Sequence, residues 1–233
     1  MNATTAATPT NAMNAPRQLT LDLIRPLTPS LVNFVVGRNA EALATLRALA
    51  TRHGEAFVHL WGEPGSGRTH LLNALAGERP ATLATAADTV PEFADPHGLY
   101  LVDDVDARDP ASQQRLFVLM NEVRAHPGAA LVTTGIAAPA QLALRDDVRT
   151  RLAWGLVYQV HALTDDEKAQ ALEEHARSRG LALSHEVIAY LLHHMPRDMR
   201  TLVAILDALD GYALAAKRAI TVPLVREWAQ AAA

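Results

Sequence analysis

The fold is decided by a glycine-rich stretch at residues 62–69, Gly62-Glu63-Pro64-Gly65-Ser66-Gly67-Arg68-Thr69, between a short apolar run and a helical pattern. Its spacing is that of a phosphate-binding loop, with arginine where a lysine is usual. In such a loop successive backbone N–H groups surround a phosphate, and the N-terminus of the following helix adds favourable partial charge. The alternative is a plain turn, but the strand–loop–helix context favours a nucleotide site.

The loop residues divide into those that shape the backbone and those that supply charge or a hydroxyl. The glycines let the backbone approach a phosphate, Arg68 keeps the positive charge as a planar fork, and the Thr69 hydroxyl is expected to bind Mg²⁺. The sequence does not choose between ADP and ATP. The predicted cofactor-binding residues of the loop are Gly62, Gly65, Ser66, Gly67, Arg68 and Thr69.

Apolar runs and helical patterns alternate on both sides of the loop, which predicts an α/β domain with a parallel sheet covered on both faces. Strands are predicted at 56–61, 81–85, 99–102, 129–134 and 156–160, and helices at 39–51, 68–76, 110–125 and 140–152.

After residue 163 the pattern changes to helices alone. Thr164-Asp165-Asp166-Glu167 is a capping-box signature that opens a helix to about residue 178. Three more helices are predicted at 184–194, 197–216 and 221–231. The expected organisation is a flexible N-terminal arm at 1–30, an α/β nucleotide-binding domain at 31–161 and a small all-helical lid at 162–233.

Two acids and a hydroxyl follow the predicted strands. Asp103 and Asp104 end one strand, and Thr134 ends the next. Behind a phosphate loop the first acid is expected to hold Mg²⁺ and the second to polarise the attacking water, which Thr134 would orient. Taken alone, such residues are ordinary polar strand ends. We therefore predict Asp104 and Thr134 as catalytic residues, and Thr69 and Asp103 as metal ligands.

The composition excludes several classes of function. No cysteine occurs among the 233 residues, which rules out disulfides, zinc ribbons and thiol catalysis. No apolar run reaches the roughly 18 residues that a membrane span needs, so a cytoplasmic protein is expected. The formal net charge of −4 gives no general attraction to nucleic acid.

Three further segments carry a resemblance: Asn33-Phe34-Val35-Val36-Gly37-Arg38-Asn39, Arg151-Leu152-Ala153-Trp154-Gly155 and Arg200-Thr201-Leu202. With the loop, they resemble the AAA+ ATPase family and, within it, the DnaA replication-initiator group. An initiator would continue into a basic helix-turn-helix domain, whereas this sequence stops after the lid. It is therefore more similar to the regulatory inactivators of DnaA, the Hda group.

The resemblance implies roles for single residues. Phe34, Val35, Val36 and Gly37 would line the adenine pocket, and Arg200 would be the nucleotide sensor of the lid. Arg151 would be an arginine finger that acts in trans on ATP bound to DnaA.

The N-terminal segment Gln18-Leu19-Thr20-Leu21-Asp22-Leu23 is implied by the same resemblance to bind the DNA polymerase III sliding clamp. A glutamine side chain makes polar contacts at a pocket rim while leucines bury apolar surface. The predicted partner-binding residues are Gln18, Leu19, Leu21 and Leu23, and DNA would be reached only through the clamp.

The main hypothesis is a negative regulator of replication initiation that binds ADP or ATP with Mg²⁺, docks on the clamp and stimulates hydrolysis of DnaA-bound ATP, with weak or absent hydrolysis of its own. Two alternatives stay open. One is an autonomous AAA+ ATPase, such as a helicase loader on DNA, and the other is a clamp-binding scaffold that does not hydrolyse nucleotide. The sequence also leaves open whether the chain forms a homo-oligomer.

Overall fold

The computed structural model describes residues 28–232, so the predicted clamp-binding segment lies outside the described residues. The described chain forms two compact units, and the boundary between them follows residue 171. The division falls inside a helix that begins at residue 165, and the predicted domain boundaries at 30 and 161 stay predictions. Each unit is described by itself.

The first unit is a parallel five-stranded sheet with helices, as the alternating pattern predicts. The strand order is β2-β3-β4-β1-β5, and every strand pair is parallel. Its elements are α1 (Ala40–Ala50), β1 (Phe57–Trp61), α2 (Arg68–Glu78), β2 (Thr82–Ala84), β3 (Leu99–Val102), α3 (Pro110–Ala125), β4 (Ala130–Gly135), α4 (Asp146–Leu152) and β5 (Leu156–Gln159).

The three central strands, β1, β3 and β4, are buried on both faces because their alternate apolar side chains enter two different clusters, whereas the outer strand β5 is largely exposed. In β3, Leu99 and Leu101 join the cluster that contains the leucines of α1 and α2. Tyr100 and Val102 join the opposite cluster, with the apolar residues of α3 and α4. The near-continuous apolar runs in the sequence are explained by this double cover.

Strand register brings three loops together at one edge of the sheet. Trp61 of β1 pairs with Gly135 of β4, and Val102 of β3 pairs with Thr133 of β4. Because parallel strands end at the same edge, the loop after β1, the acids after β3 and the hydroxyl at the end of β4 are neighbours. The predicted chemistry thus gathers at one place.

The second unit is helical, as predicted. It contains α6 (His185–His194), α7 (Met199–Ala216) and α8 (Val222–Ala232), with the end of α5 (Asp165–Ser178). The capping box at the start of α5 is confirmed, since the Thr164 N–H donates to Glu167 Oε2 at 2.7 Å and the Glu167 N–H donates to Thr164 Oγ1 at 3.2 Å. No helix within the described residues is long and apolar enough to cross a membrane.

Candidate nucleotide-binding site

The glycines of the loop have conformations and surroundings that other residues do not tolerate. Gly65 and Gly67 have φ of 81° and 103°, in the left-handed region. A Cβ on Gly62 would lie 2.3 Å from the Val160 carbonyl oxygen, so the chain passes too close for any side chain. Open space surrounds the Cβ position of Gly65. The loop is therefore shaped by its glycines into an open turn before α2.

Two polar side chains of the loop are buried without a hydrogen-bond partner. The Ser66 hydroxyl oxygen and Arg68 Nη1 are both in this state, and Arg68 as a residue is only 8% exposed. A buried polar group without a partner is costly, and a bound anion would satisfy both. With the N-terminus of α2 beginning at Arg68, these residues fit a phosphate group.

Arg68 faces the second acid rather than the first. Its Nη1 lies 3.4 Å from Asp104 Oδ1, an ion-pair distance at which the two atoms make no hydrogen bond. Asp104 has φ of 46°, unusual for a residue with a side chain. Burial raises the pKa of Asp104, and the neighbouring Asp103 raises it further, against the opposing effect of Arg68. A phosphate in the loop would therefore compete with Asp104 for Arg68.

Thr134 joins the two acids. Its hydroxyl donates to Asp103 Oδ1 and accepts the backbone N–H of Asp104 at 2.8 Å. Asp103 is buried, while Thr69, in the first turn of α2, is exposed. The structure thus brings Asp103, Asp104 and Thr134 together, as predicted from the strand ends. Their roles toward Mg²⁺ and water stay predictions.

A buried arginine that was not predicted from the sequence, Arg108, holds the acidic end of β3. Arg108 Nη2 donates to the carbonyl oxygens of Thr85 at 2.7 Å and Asp103 at 2.9 Å, and Nη1 donates to that of Asp88. One guanidinium therefore ties the residues after β2 to the end of β3. No motif identifies this role, because an arginine beside several acids usually belongs to the surface.

A second group that was not predicted from the sequence lies around His59, in the strand that precedes the loop. His59, in the middle of β1, is buried with its Nδ1 2.8 Å from Thr133 Oγ1, and burial lowers its pKa to about 4. Asp106 accepts the backbone N–H of Ile136 at 2.9 Å, which fixes the chain after β4. A histidine within an apolar run was the available signal for this cluster.

The segment predicted to line an adenine pocket reaches the loop. The Phe34 ring lies against Gly67, where a Cβ would come within 2.9 Å of Cε2, and it packs at 5.6 Å on the His70 ring. Asn39 anchors the segment through two hydrogen bonds with the backbone of His161, at 2.7 and 3.0 Å.

Gly37 brings the same segment against the start of α5. Its φ is 47°, and a Cβ there would lie 2.8 Å from Leu163 Cδ2. Val35 is half-buried and Val36 is exposed beside it. Contact with adenine stays a prediction for these residues.

Arg151 is held in place by neutral groups. Its Nε donates to Asn121 Oδ1 and its Nη1 to the Asp147 carbonyl oxygen, both at 3.0 Å. The guanidinium lies 4.0 Å from the centroid of the Phe117 ring and 4.9 Å from that of Trp154. No carboxylate of the described residues lies within ion-pair distance of Arg151, although Asp147 is close enough to interact with its charge at longer range.

Arg200 lies in the second unit, exposed in the first turn of α7. Its predicted role as a nucleotide sensor stays a prediction. Among residues 28–232, no group of three or more His, Cys, Asp or Glu side chains is placed to hold a metal ion. The Mg²⁺ site predicted from Thr69 and Asp103 stays a prediction, and phosphate oxygens of a bound nucleotide would have to complete it.

Residues 165–228 match the family model described as Hda, lid domain. The whole fold is similar to domain III of the Thermotoga maritima replication initiation protein DnaA, with a TM-score of 0.64, 19% identity and coverage of 86% of this chain and 96% of that one. The fold is of the DnaA-related AAA+ type. This confirms the resemblance drawn from the sequence motifs.

Two further AAA+ structures have similar folds. AMPPCP-bound DnaA from Aquifex aeolicus gives a TM-score of 0.62 at 22% identity, over 80% of this chain and 66% of that chain. A Thermotoga maritima RuvB variant gives 0.60 at 17% identity, over 88% and 72%. At these identities the likeness shows the fold alone, and the Hda-like lid rests on the family match at residues 165–228.

Proposed function

We propose that this chain is a negative regulator of DNA replication initiation, which binds a nucleotide in the 62–69 loop and uses Arg151 to stimulate hydrolysis of ATP bound to DnaA. The observation that carries the proposal is the state of Arg151. A guanidinium whose direct hydrogen-bond partners are neutral, with no carboxylate at ion-pair distance, remains available to an anion outside the chain. An arginine supplied in trans to a phosphoryl transfer is worth roughly 10³–10⁵ in rate.

The nucleotide site of the chain itself serves binding more than turnover in this proposal. The loop glycines and the unpartnered Ser66 and Arg68 atoms support a bound ADP or ATP, with Mg²⁺ on Thr69 and Asp103. Asp104, the residue expected to polarise water, is instead 3.4 Å from Arg68. We therefore expect the chain alone to hydrolyse nucleotide slowly. In this proposal Thr134 holds Asp103 and Asp104 in position.

Docking on the DNA-loaded sliding clamp belongs to the Gln18–Leu23 segment in this proposal. The support is the sequence pattern alone, because the segment lies outside the described residues. DnaA and the clamp are then the two protein partners, and DNA is reached through the clamp.

The test is a single-turnover assay of DnaA-bound ATP hydrolysis, with loaded clamp and a saturating amount of this protein. Arg151→Ala is expected to lower the stimulated rate by at least about a hundredfold, while the variant stays folded and its clamp affinity stays close to the wild-type value. Arg149→Ala is the matched control, because Arg149 lies on the same helix and pairs with Asp146 at 2.6 Å. It should stimulate normally.

Other outcomes contradict the proposal in distinguishable ways. Full stimulation by a folded, clamp-binding Arg151→Ala protein would remove the finger assignment. Clamp binding without any effect on DnaA-bound ATP would indicate a scaffold. Rapid ATP turnover by the isolated chain, together with salt-sensitive binding of single-stranded DNA, would indicate an autonomous ATPase.

A further inference from the structure

A second arginine lies beside Arg151 on the same aromatic ring. The Arg124 guanidinium carbon is 4.2 Å from the centroid of the Trp154 ring, and that of Arg151 is 4.9 Å from it. Arg124 is in the last turn of α3, whereas Arg151 is in α4, so two elements each place a cation near the Trp154 ring. Arg124 is exposed.

The ring that carries both cations is itself fixed. Phe57 packs its ring against Trp154 edge to face, at 5.5 Å and 84°. The next residue, Gly155, passes so close to β1 that a Cβ would lie 2.0 Å from the Phe57 carbonyl oxygen. The backbone N–H of Trp154 also donates to the Arg151 carbonyl oxygen at 3.0 Å. Trp154 is thus a rigid platform, and a cation on its face is attracted by the ring quadrupole.

The other arginines of this surface differ in charge balance. Arg145 and Arg149 pair with Asp147 and Asp146, at 2.7 and 2.6 Å. Arg124 has no carboxylate within ion-pair distance among the described residues, and the same holds for Arg151. Two like charges near one ring repel each other. Asp147, which pairs with Arg145, interacts with Arg151 only at longer range and offsets the repulsion only in part. Such a pair favours an external anion with several oxygen atoms.

We propose that Arg124 is a second phosphate-binding guanidinium of the site that Arg151 presents, and that both contact the phosphates of a nucleoside triphosphate carried by the partner protein. This inference rests on the proposed function. Arg124 binds the phosphate oxygens and orients them against Arg151. The charge that develops in phosphoryl transfer then meets two cations instead of one.

The test compares Arg124→Gln, Arg124→Lys and the matched control Arg149→Gln, each in the full chain. Two quantities are measured: the single-turnover rate of hydrolysis of partner-bound ATP, and the affinity for partner loaded with ADP or with a non-hydrolysable ATP analogue. Arg124→Gln is expected to lower the rate about tenfold, as the loss of one charged hydrogen bond does. It should also weaken binding to the analogue-loaded partner more than binding to the ADP-loaded partner.

The controls separate this inference from the proposed function. Arg124→Lys keeps the charge and should recover part of the rate, while Arg149→Gln should match the wild type. If Arg151→Ala abolishes stimulation and Arg124→Gln leaves it unchanged, the inference is wrong and the proposed function stands. If neither variant changes stimulation, the proposed function fails as well. Equal weakening toward ADP-loaded and analogue-loaded partner would place Arg124 on acidic side chains of the partner and overturn the phosphate assignment.

Discussion

His59 shows how one buried residue couples the site to pH. Its pKa is lowered to about 4 from the ordinary value of 6.5, first because burial penalises the imidazolium, and also because Arg68 is near. The Ala137 carbonyl oxygen and Asp106 act in the opposite direction; both effects are smaller than that of burial but larger than that of Arg68. The imidazole is therefore neutral in the folded protein at neutral pH, and its nitrogens contact Thr133 and Ala137 without a net charge.

The lowered pKa of His59 makes the stability of the protein depend on pH. Between pH 6.5 and 4 the unfolded chain binds a proton at His59 that the folded chain does not, so this residue lowers the free energy of unfolding as the pH falls through that window. We expect the wild type to lose about 2–3 kcal/mol through His59 between pH 7.5 and 4.5. His59→Phe should lack this part of the loss, as measured by urea unfolding at both pH values.

The comparison between the two proteins is the control, because every other titrating group is common to both. Equal losses of stability in wild type and His59→Phe would show that His59 is protonated in the folded protein. The absolute stability of the variant is not the readout, since Thr133 loses a partner in it.

At the scale of elements, two glycines with opposite surroundings, one directly before β5 and one inside α7, test what an added methyl group does to the stability of the protein. Gly155 lies directly before β5, and a Cβ there would meet the Phe57 carbonyl oxygen at 2.0 Å. Gly155→Ala should therefore force β1 and β5 apart and destabilise the first unit by about 3 kcal/mol. Gly211, inside α7, has open space at its Cβ position. Gly211→Ala should stabilise the protein by about 0.5–1 kcal/mol.

Thermal or urea unfolding of both variants checks the pair. If Gly155→Ala leaves the stability unchanged, β1 and β5 separate without cost. If Gly211→Ala lowers the stability, α7 is constrained at that residue. Both changes add the same methyl group, which clashes with the Phe57 carbonyl oxygen at Gly155 but at Gly211 meets open space and removes the conformational cost of a glycine inside a helix.

Elements of this fold were largely predictable because apolar runs and caps are local signals. The five strands and α2, α3 and α5 to α8 follow the predicted order. The region 140–152 was less predictable. Pro139 opens a short 3₁₀ turn there, and α4 begins only at Asp146. Helix α7 begins at Met199 rather than Arg197, because the Asp198 side chain caps it by accepting the Thr201 N–H.

Some residues of the candidate site were predictable from the sequence and others were not. The loop glycines and the acids were predictable, since a parallel sheet brings the ends of β1, β3 and β4 to one edge. Arg108 and Arg124 were not. Arg108 bonds to carbonyl oxygens up to 24 residues away in sequence, and Arg124 meets a ring on another element. Such long side chains are identified only when the tertiary structure brings their partners close.

At the scale of the whole molecule, the proposed activities belong to different parts of the chain. The Gln18–Leu23 segment would bind the clamp, the 62–69 loop would bind nucleotide, and the surface at Arg124 and Arg151 would act on the partner. Arg151 and the loop are parts of the same unit of the fold, while the clamp segment precedes every described residue. Loss of one activity should therefore leave the other two measurable.

The clamp segment gives the clearest separation. Replacing Leu21 and Leu23 together by alanine removes two apolar side chains, each worth about 1.5–3 kcal/mol when fully buried in a partner pocket. We expect clamp affinity to fall by at least about a hundredfold, while nucleotide binding and the melting temperature stay unchanged. The matched control is Thr20→Ala with Asp22→Ala, at the intervening positions. Surface plasmon resonance on immobilised clamp measures both doubles, and equal affinities of the leucine double and the wild type would remove the segment from the clamp interface.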